Sequence, residues 1–287
     1  MAKRQPRIET YVAHKSVKKT ASARAVQSAY KIEVRFLGGL SASQKNAFKK
    51  AADRWSRVIV GDLPSVLVGG EVIDDLLIEA QGVDIDGVGQ ILGQAGPTNL
   101  RPATAGASAL LPAKGIMSFD TADLASMEAD GTLVDVITHE MGHVIGIGTI
   151  WEDKGLLIGK GTTNPRFNGT NAKRVYGQLR GSGPTQVPVE NTGGLGTRDG
   201  HWRESVFKKE LMSGFISEAH NPLSRLTVAS LQDLGYRVSL SAAEAYSLPN
   251  LRAIAERGLL LTADAQVHPH ALPILAPKVL PPSSLNV

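Results

Sequence analysis

Read from the amino terminus, the first stretch with a clear period begins at Tyr30. Ile32, Val34 and Phe36 alternate with polar residues as in a half-buried strand, and Gly38 with Gly39 supplies a turn. Ser41 or Ser43 then offers an N-cap, and Phe48, Ala51, Ala52, Trp55, Val58 and Ile59 recur at helical spacing until Gly61 and Pro64 stop the pattern. Further strands are expected at residues 73–80, 87–92 and 115–119, with 96–102 as a glycine- and proline-bearing loop. A second helix is expected from Thr132, read as its cap with Asp135 three residues on, to Gly146, which ends it. Val134, Ile137, Met141, Val144 and Ile145 share its core face.

From about Trp151 to Asp199 the chain is rich in Gly, Asn, Pro and Thr and has little periodicity, which reads as a long irregular insertion. Order is expected to resume between His201 and Phe215 and to continue into a short helix capped by Thr227, with Val228, Leu231 and Leu234 on one face and Gly235 closing it. The expected division is a basic leader at 1–29, flexible or a pro-segment, an N-terminal subdomain at 30–150, a C-terminal subdomain at 151–248, and a strap or tail at 249–287. Strands around helices in mixed order indicate an α+β fold.

The chain has 287 residues, 42% of them apolar and 20% charged, enough for one large domain or two small ones. No window approaches the roughly 18 to 20 apolar residues of a membrane-spanning helix, so no transmembrane segment is expected, and the first thirty residues lack an apolar stretch of the signal-peptide kind. The net charge of +4 is unevenly placed: residues 1–29 hold seven Lys or Arg against Glu9, so the remainder is slightly acidic. With only Tyr11 and Tyr30 nearby to stack on bases, no nucleic-acid partner is expected. Cysteine is absent, so any metal must be held by His, Asp or Glu.

His139, Glu140 and His143 form an H-E-x-x-H arrangement inside the second helix. At about 100° per residue the two histidines lie some 40° apart, one turn above the other, so both imidazoles reach a single ion. A catalytic zinc site typically uses three protein ligands and an open position. If Gly146 turned the chain back under the metal, a His three residues later would complete the set, but that position is Thr149. The candidates downstream are His201, His220, His268 and His270, with the acids Glu152, Glu190, Glu204 and Glu218; His201 is favoured because it stands where order returns, and His220 reads as a loop residue near the cleft.

These residues resemble the leishmanolysin-like zinc peptidases of the metzincin clan. The resemblance covers roughly residues 30–240, and its specific part lies within 139–215. It implies a metzincin-type zincin with a mixed twisted sheet, an active-site helix and a smaller irregular C-terminal subdomain across the cleft. Position by position, it makes His139, His143 and His201 ligands of Zn2+, Glu140 the general base, Gly146 the turn that redirects the chain, and Met212 the methionine of the Met-turn. Leishmanolysins of eukaryotes carry disulfides and a latency cysteine, whereas this chain has no cysteine for either task. Phe215 stands near the place where some relatives put a tyrosine that assists the oxyanion.

The implied activity is that of an exported zinc endopeptidase acting on polypeptides, in which a zinc-activated water attacks the peptide carbonyl and Glu140 accepts its proton. An extended substrate is expected along an edge strand formed by Gly115, Ile116, Met117, Ser118 and Phe119, with Phe215 in the cleft. Asp84 and Asp86 beside Gly87 hint at calcium, but without a third oxygen cluster they read more simply as solvated loop acids. Asp199, Glu204 and Glu190 offer a second ion site or a carboxylate that orients His201. The alternative is a zinc-stabilised binding or adhesion module, silent or held latent; retention of Glu140 argues against the silent form, since a structural site needs no base.

Overall fold

A computed structural model describes residues 8–14, 30–250 and 276–287, apart from 86, 88, 90–92, 195 and 217. β1 (Glu9–His14) pairs antiparallel with β2 (Lys31–Gly38), in which Ile32, Val34 and Phe36 are all buried. α1 (Ala42–Val58) follows. Its cap is Ser41, whose hydroxyl accepts the N–H of Gln44 while the Gln44 side chain accepts the N–H of Ser41. β3 (Val66–Val68) and β4 (Glu71–Ile73) make a small hairpin around Gly69 and Gly70.

β5 (Leu76–Val83), β6 (Gly93–Leu100) and β7 (Pro112–Asp120) complete the body of the main sheet, and α2 (Thr121–Asp130) leads into α3 (Leu133–Ile145). Beyond α3 lie β8 (Leu157–Ile158), β9 (Arg166–Phe167), α4 (Thr170–Leu179), β10 (Val187–Pro188), α5 (Glu204–Phe207), α6 (Arg225–Leu234) and β11 (Lys278–Val279). The six-stranded sheet runs β1-β2-β5-β7-β6-β11; β2, β5 and β7 are parallel, and β6 is antiparallel to β7. The architecture is α+β, as the mixed order of elements indicates.

α1 packs against β1, β2 and α3, and α3 against β6 and β7, so the two helices share one face of the sheet. Phe48, Trp55, Ile137, Met141, Val144 and Ile145 are fully buried between them. The indole N–H of Trp55 donates to the carbonyl of Thr138 at 2.8 Å, which satisfies a polar group inside this layer. α3 approaches β7 so closely that a Cβ on Gly115 would stand 2.4 Å from a methyl of Val144.

Several expectations need correction. Residues 9–14, read as part of a solvated leader, are an edge strand whose Glu9 carboxylate pairs with Lys45 and Lys49 of α1. The strand expected at 87–92 lies partly outside the described residues, and the expected loop at 96–102 is instead largely β6, a strand despite two glycines and a proline. Residues 115–119 do not form an edge: β7 lies between β5 and β6, and Met117 and Phe119 are buried.

Thr132 makes no side-chain cap; Asp130 accepts its N–H and its hydroxyl. The cap of α6 is Ser224 rather than Thr227. The stretch 151–199 holds α4 and a three-stranded sheet, β10-β9-β8. Gly169 stands at the N-cap of this helix and has no side chain to cap it; the cap comes from afar, where Asp233 of α6 accepts the N–H groups of Asn171 and Ala172.

Candidate metal centre

α3 carries Asp135 in its first turn and ends on Gly146, whose φ of 115° is left-handed. The N–H of Ile147 reaches back to the carbonyl of Gly142 at 3.0 Å, closing the helix end. A side chain at Gly146 would also meet Ile150 at 2.7 Å, so both conformation and space require glycine. The turn it makes aims the carbonyl of Ile147 back at the helix, where it accepts the Nδ1–H of His143 at 2.8 Å. Thr149 donates its hydroxyl to the carbonyl of His143 at 2.8 Å.

The chain then leaves and returns. Gly148, at φ 77°, sits so close to Gly200 that a Cβ would lie 2.1 Å from the Gly200 carbonyl oxygen. That contact sets His201 beside α3. Trp202 follows, buried among Trp151, Phe167 and Phe207, with its N–H on the carbonyl of Met212 at 2.9 Å.

The result is three buried imidazoles with their Nε2 atoms mutually close: His139 to His201 3.0 Å, His139 to His143 3.1 Å, and His143 to His201 2.9 Å. Each ring's Nδ1 faces a backbone carbonyl: Leu211 at 2.6 Å for His139, Ile147 at 2.8 Å for His143 and Thr197 at 2.8 Å for His201. A carbonyl only accepts, so each Nδ1 holds the proton and each Nε2 presents a lone pair to the other two. Three converging lone pairs repel one another, and a cation relieves the repulsion. Neutral imidazoles within reach of one ion at about 2.0 to 2.1 Å suit zinc. The donor set therefore fits.

Glu140, on the same helix and buried, lines a cleft of about 340 Å³ together with His143, Thr149, Asp199 and the β6 residues Ala95, Gly96 and Pro97. Met212 is buried against α3 from below; a Cβ on Gly142 would lie 2.8 Å from its sulfur and 2.9 Å from Trp55. Phe215 is half-buried and is not among the residues lining this cleft.

The structure does not bring the other candidates together with the three histidines. His220, at φ 70°, is exposed on a separate cleft with Arg54, Asp135 and Glu244, so the loop after the turn carries it away. Glu152 lies at the mouth of the main cleft in an ion pair with Lys160. Glu218 is exposed and pairs with Lys209 at 2.7 Å. Asp84 is exposed, and Asp86, His268 and His270 lie outside the described residues. The role of orienting His201, expected of a carboxylate, is filled by the carbonyl of Thr197. Glu190 instead accepts the N–H groups of Asn191, Thr192 and Glu204, and burial raises the Glu204 carboxyl.

Two features have no counterpart in the sequence reading. Glu210, fully buried, accepts the N–H of Met212 at 2.6 Å on one oxygen, and on the other the hydroxyls of Ser224 at 2.6 Å and Thr227 at 2.5 Å. Burial raises its carboxyl, opposed by these donors. Arg54 of α1 ties together Asp135 of α3, Glu244 and the carbonyl of Asn221. Nothing local marks either one: Glu210 follows Lys208 and Lys209 and reads as one of a run of solvated charges.

The residues of this centre fall within a region of likeness to known proteins. The family described as Leishmanolysin matches residues 105–253, a little over half the chain. A leishmanolysin homolog of Crithidia fasciculata is 30% identical over 136 residues, which is 44% of this chain and 20% of the relative. A leishmanolysin of Leishmania donovani is 30% identical over 142 residues, 46% of this chain and 24% of the relative. The matched part thus spans only about a fifth to a quarter of each relative's length.

Proposed function

Because the chain belongs to the leishmanolysin family, we propose that it is a zinc-dependent endopeptidase with His139, His143 and His201 as metal ligands and Glu140 as general base. The observation that carries this reading is the convergence of three Nε2 atoms, each ring oriented by a carbonyl, beside a buried carboxylate that faces a cleft. A closed structural zinc site usually has four protein ligands; the group found among the described residues has three. That difference favours chemistry over a purely structural ion, and so favours the enzyme over the binding module.

A divalent ion held there supplies Lewis acidity, lowering the pKa of water and polarising a carbonyl. The chain supplies the rest. β6 borders the cleft with Ala95, Gly96 and Pro97, and its outer edge offers backbone N–H and C=O groups to an extended peptide. This pairing is largely independent of side chains and grips a peptide along its length, the mode of an endopeptidase. The carboxylate of Glu140 takes the proton of the attacking water and delivers it to the departing amide nitrogen. Burial keeps that carboxylate from bulk water, which strengthens its hold on the proton during transfer. Met212 takes no part in the proton chemistry; it fills the space beneath α3.

The test is metal analysis of the purified protein together with casein digestion with and without 1,10-phenanthroline. One zinc per chain, and cleavage abolished by the chelator and restored by added zinc, is the expected result. Stoichiometric zinc with no casein cleavage under any condition favours the binding module.

A further inference from the structure

Residues 276–287 return to the main sheet at the place where the cleft ends. β11 pairs in parallel with Asn99 and Leu100 of β6, and the N–H of Leu280 donates to the carbonyl of Leu100 at 2.9 Å. Leu280 is buried in a small apolar cluster with Val66, Ile73, Leu77 and Ala113, which anchors the segment. Just upstream, Ala276 and Pro277 line the same cleft as Glu140 and His143. Carrying the parallel register back from Lys278 opposite Asn99 sets Pro277 beside Thr98 and Ala276 beside Pro97. Both β6 and residues 276–287 lie outside the stretch matched by the family.

We propose that residues 276–279 form an end wall of the peptide cleft and set how many substrate residues can pair along β6; this rests on the peptidase reading above. A strand edge accepts one partner at a time, because each outward N–H and C=O is used once. β11 already uses Asn99 and Leu100, and Ala276 and Pro277 occupy the neighbouring stretch. Among the described residues, Gly93–Gly96 is the length left for a peptide, about 13 Å at 3.3 Å per residue. A substrate extending past it meets Ala276 and Pro277 and gains no further pairing. The segment is thus a specificity determinant for length on one side of the scissile bond.

A ladder of fluorogenic peptides, lengthened one residue at a time at either end, tests this by the ratio of kcat/KM for long over short substrates. In the native chain the gain per residue should stop early at one end only. Leu280→Asp removes the anchor and should raise the ratio at that end about tenfold by opening further pairing sites. Ala276→Trp thickens the wall at an exposed position and should lower the ratio by about the same factor; it carries the test should Leu280→Asp fail to fold. Ratios within about twofold of native in every folded variant overturn the proposal. No chelator-sensitive cleavage of any peptide by the native chain removes the peptidase reading itself, and the end wall with it.

Discussion

The Nδ1–H of His139 donates to the carbonyl oxygen of Leu211 at 2.6 Å, so a ring on α3 takes its orientation from a turn 72 residues further along the chain. That turn is fixed from inside. Glu210 accepts the N–H of Met212, the N–H of Leu211 donates to Pro222, and the Ser224 and Thr227 hydroxyls bind Glu210 to the start of α6. Replacing Glu210 with Ala leaves these donors without their acceptor and loosens the carbonyl that aims His139. Zinc affinity should fall about 10- to 100-fold, the usual cost of losing support behind a ligand. Competition against a chelating dye measures it; an affinity equal to native would show that the turn holds its shape without the carboxylate.

Gly142 is the one residue of the H-E-x-x-H segment with no side chain, and the space its Cβ would need is taken by Met212 and Trp55. Alanine inside a helix ordinarily stabilises it by about 1 kcal/mol over glycine. Here the new methyl would stand 2.8 Å from the Met212 sulfur and 2.9 Å from the Trp55 ring, so overpacking of about 1–3 kcal/mol wins. Thermal unfolding of Gly142→Ala should come at lower temperature than native. A rise in Tm means the methionine swings aside at little cost.

What is legible in the sequence is what local forces shape. The helix of His139 and His143 rests on a 3.6-residue period and on Gly146, whose positive φ demands glycine; both can be read without knowing the fold. The approach of His201 depends on Gly148 packing against Gly200 and on Trp202 settling among three other aromatic rings, contacts that leave no period behind. β6 escapes because Gly96 and Pro97 read as turn residues, whereas Pro97 lies beyond the two residues of β6 that pair with β11, where a proline is tolerated and small residues line a cleft. α4 escapes for a similar reason: its capping carboxylate, Asp233, comes from another helix.

Asp75 predicts a dependence of stability on pH. Loss of solvent pushes its carboxyl up to about 7; the N–H groups of Leu63 and Lys31 oppose the shift, and the nearby charges of Asp74 and Asp62 add to it. Because the folded value lies above the unfolded one, folding favours the neutral acid. The stabilisation is complete below about pH 4 and is lost as pH rises through about 7. Urea unfolding of the native chain and of Asp75→Asn across this window should give curves that diverge, the native chain losing stability by up to about 1.4 kcal/mol per pH unit relative to the variant. Parallel curves would place the Asp75 carboxyl in its ordinary range.

Glu140 lines the cleft and His201 belongs to the buried group of three histidines, and the proposed chemistry gives them separable duties. Glu140→Gln keeps the size of the side chain and removes its capacity to accept a proton, so hydrolysis should drop by about 10²- to 10⁴-fold while zinc stays bound at one per chain. His201→Ala takes away one of three lone pairs, so metal should be lost first and activity with it. If the Glu140 carboxylate and the His201 imidazole were merely packing groups, both substitutions would lower stability and neither would sort metal from turnover in this way. Metal content and casein cleavage measured on the same samples decide the matter. A Glu140→Gln protein that cleaves at the native rate would falsify the general-base assignment, because no other step proposed for this carboxylate survives without a proton-accepting oxygen pair.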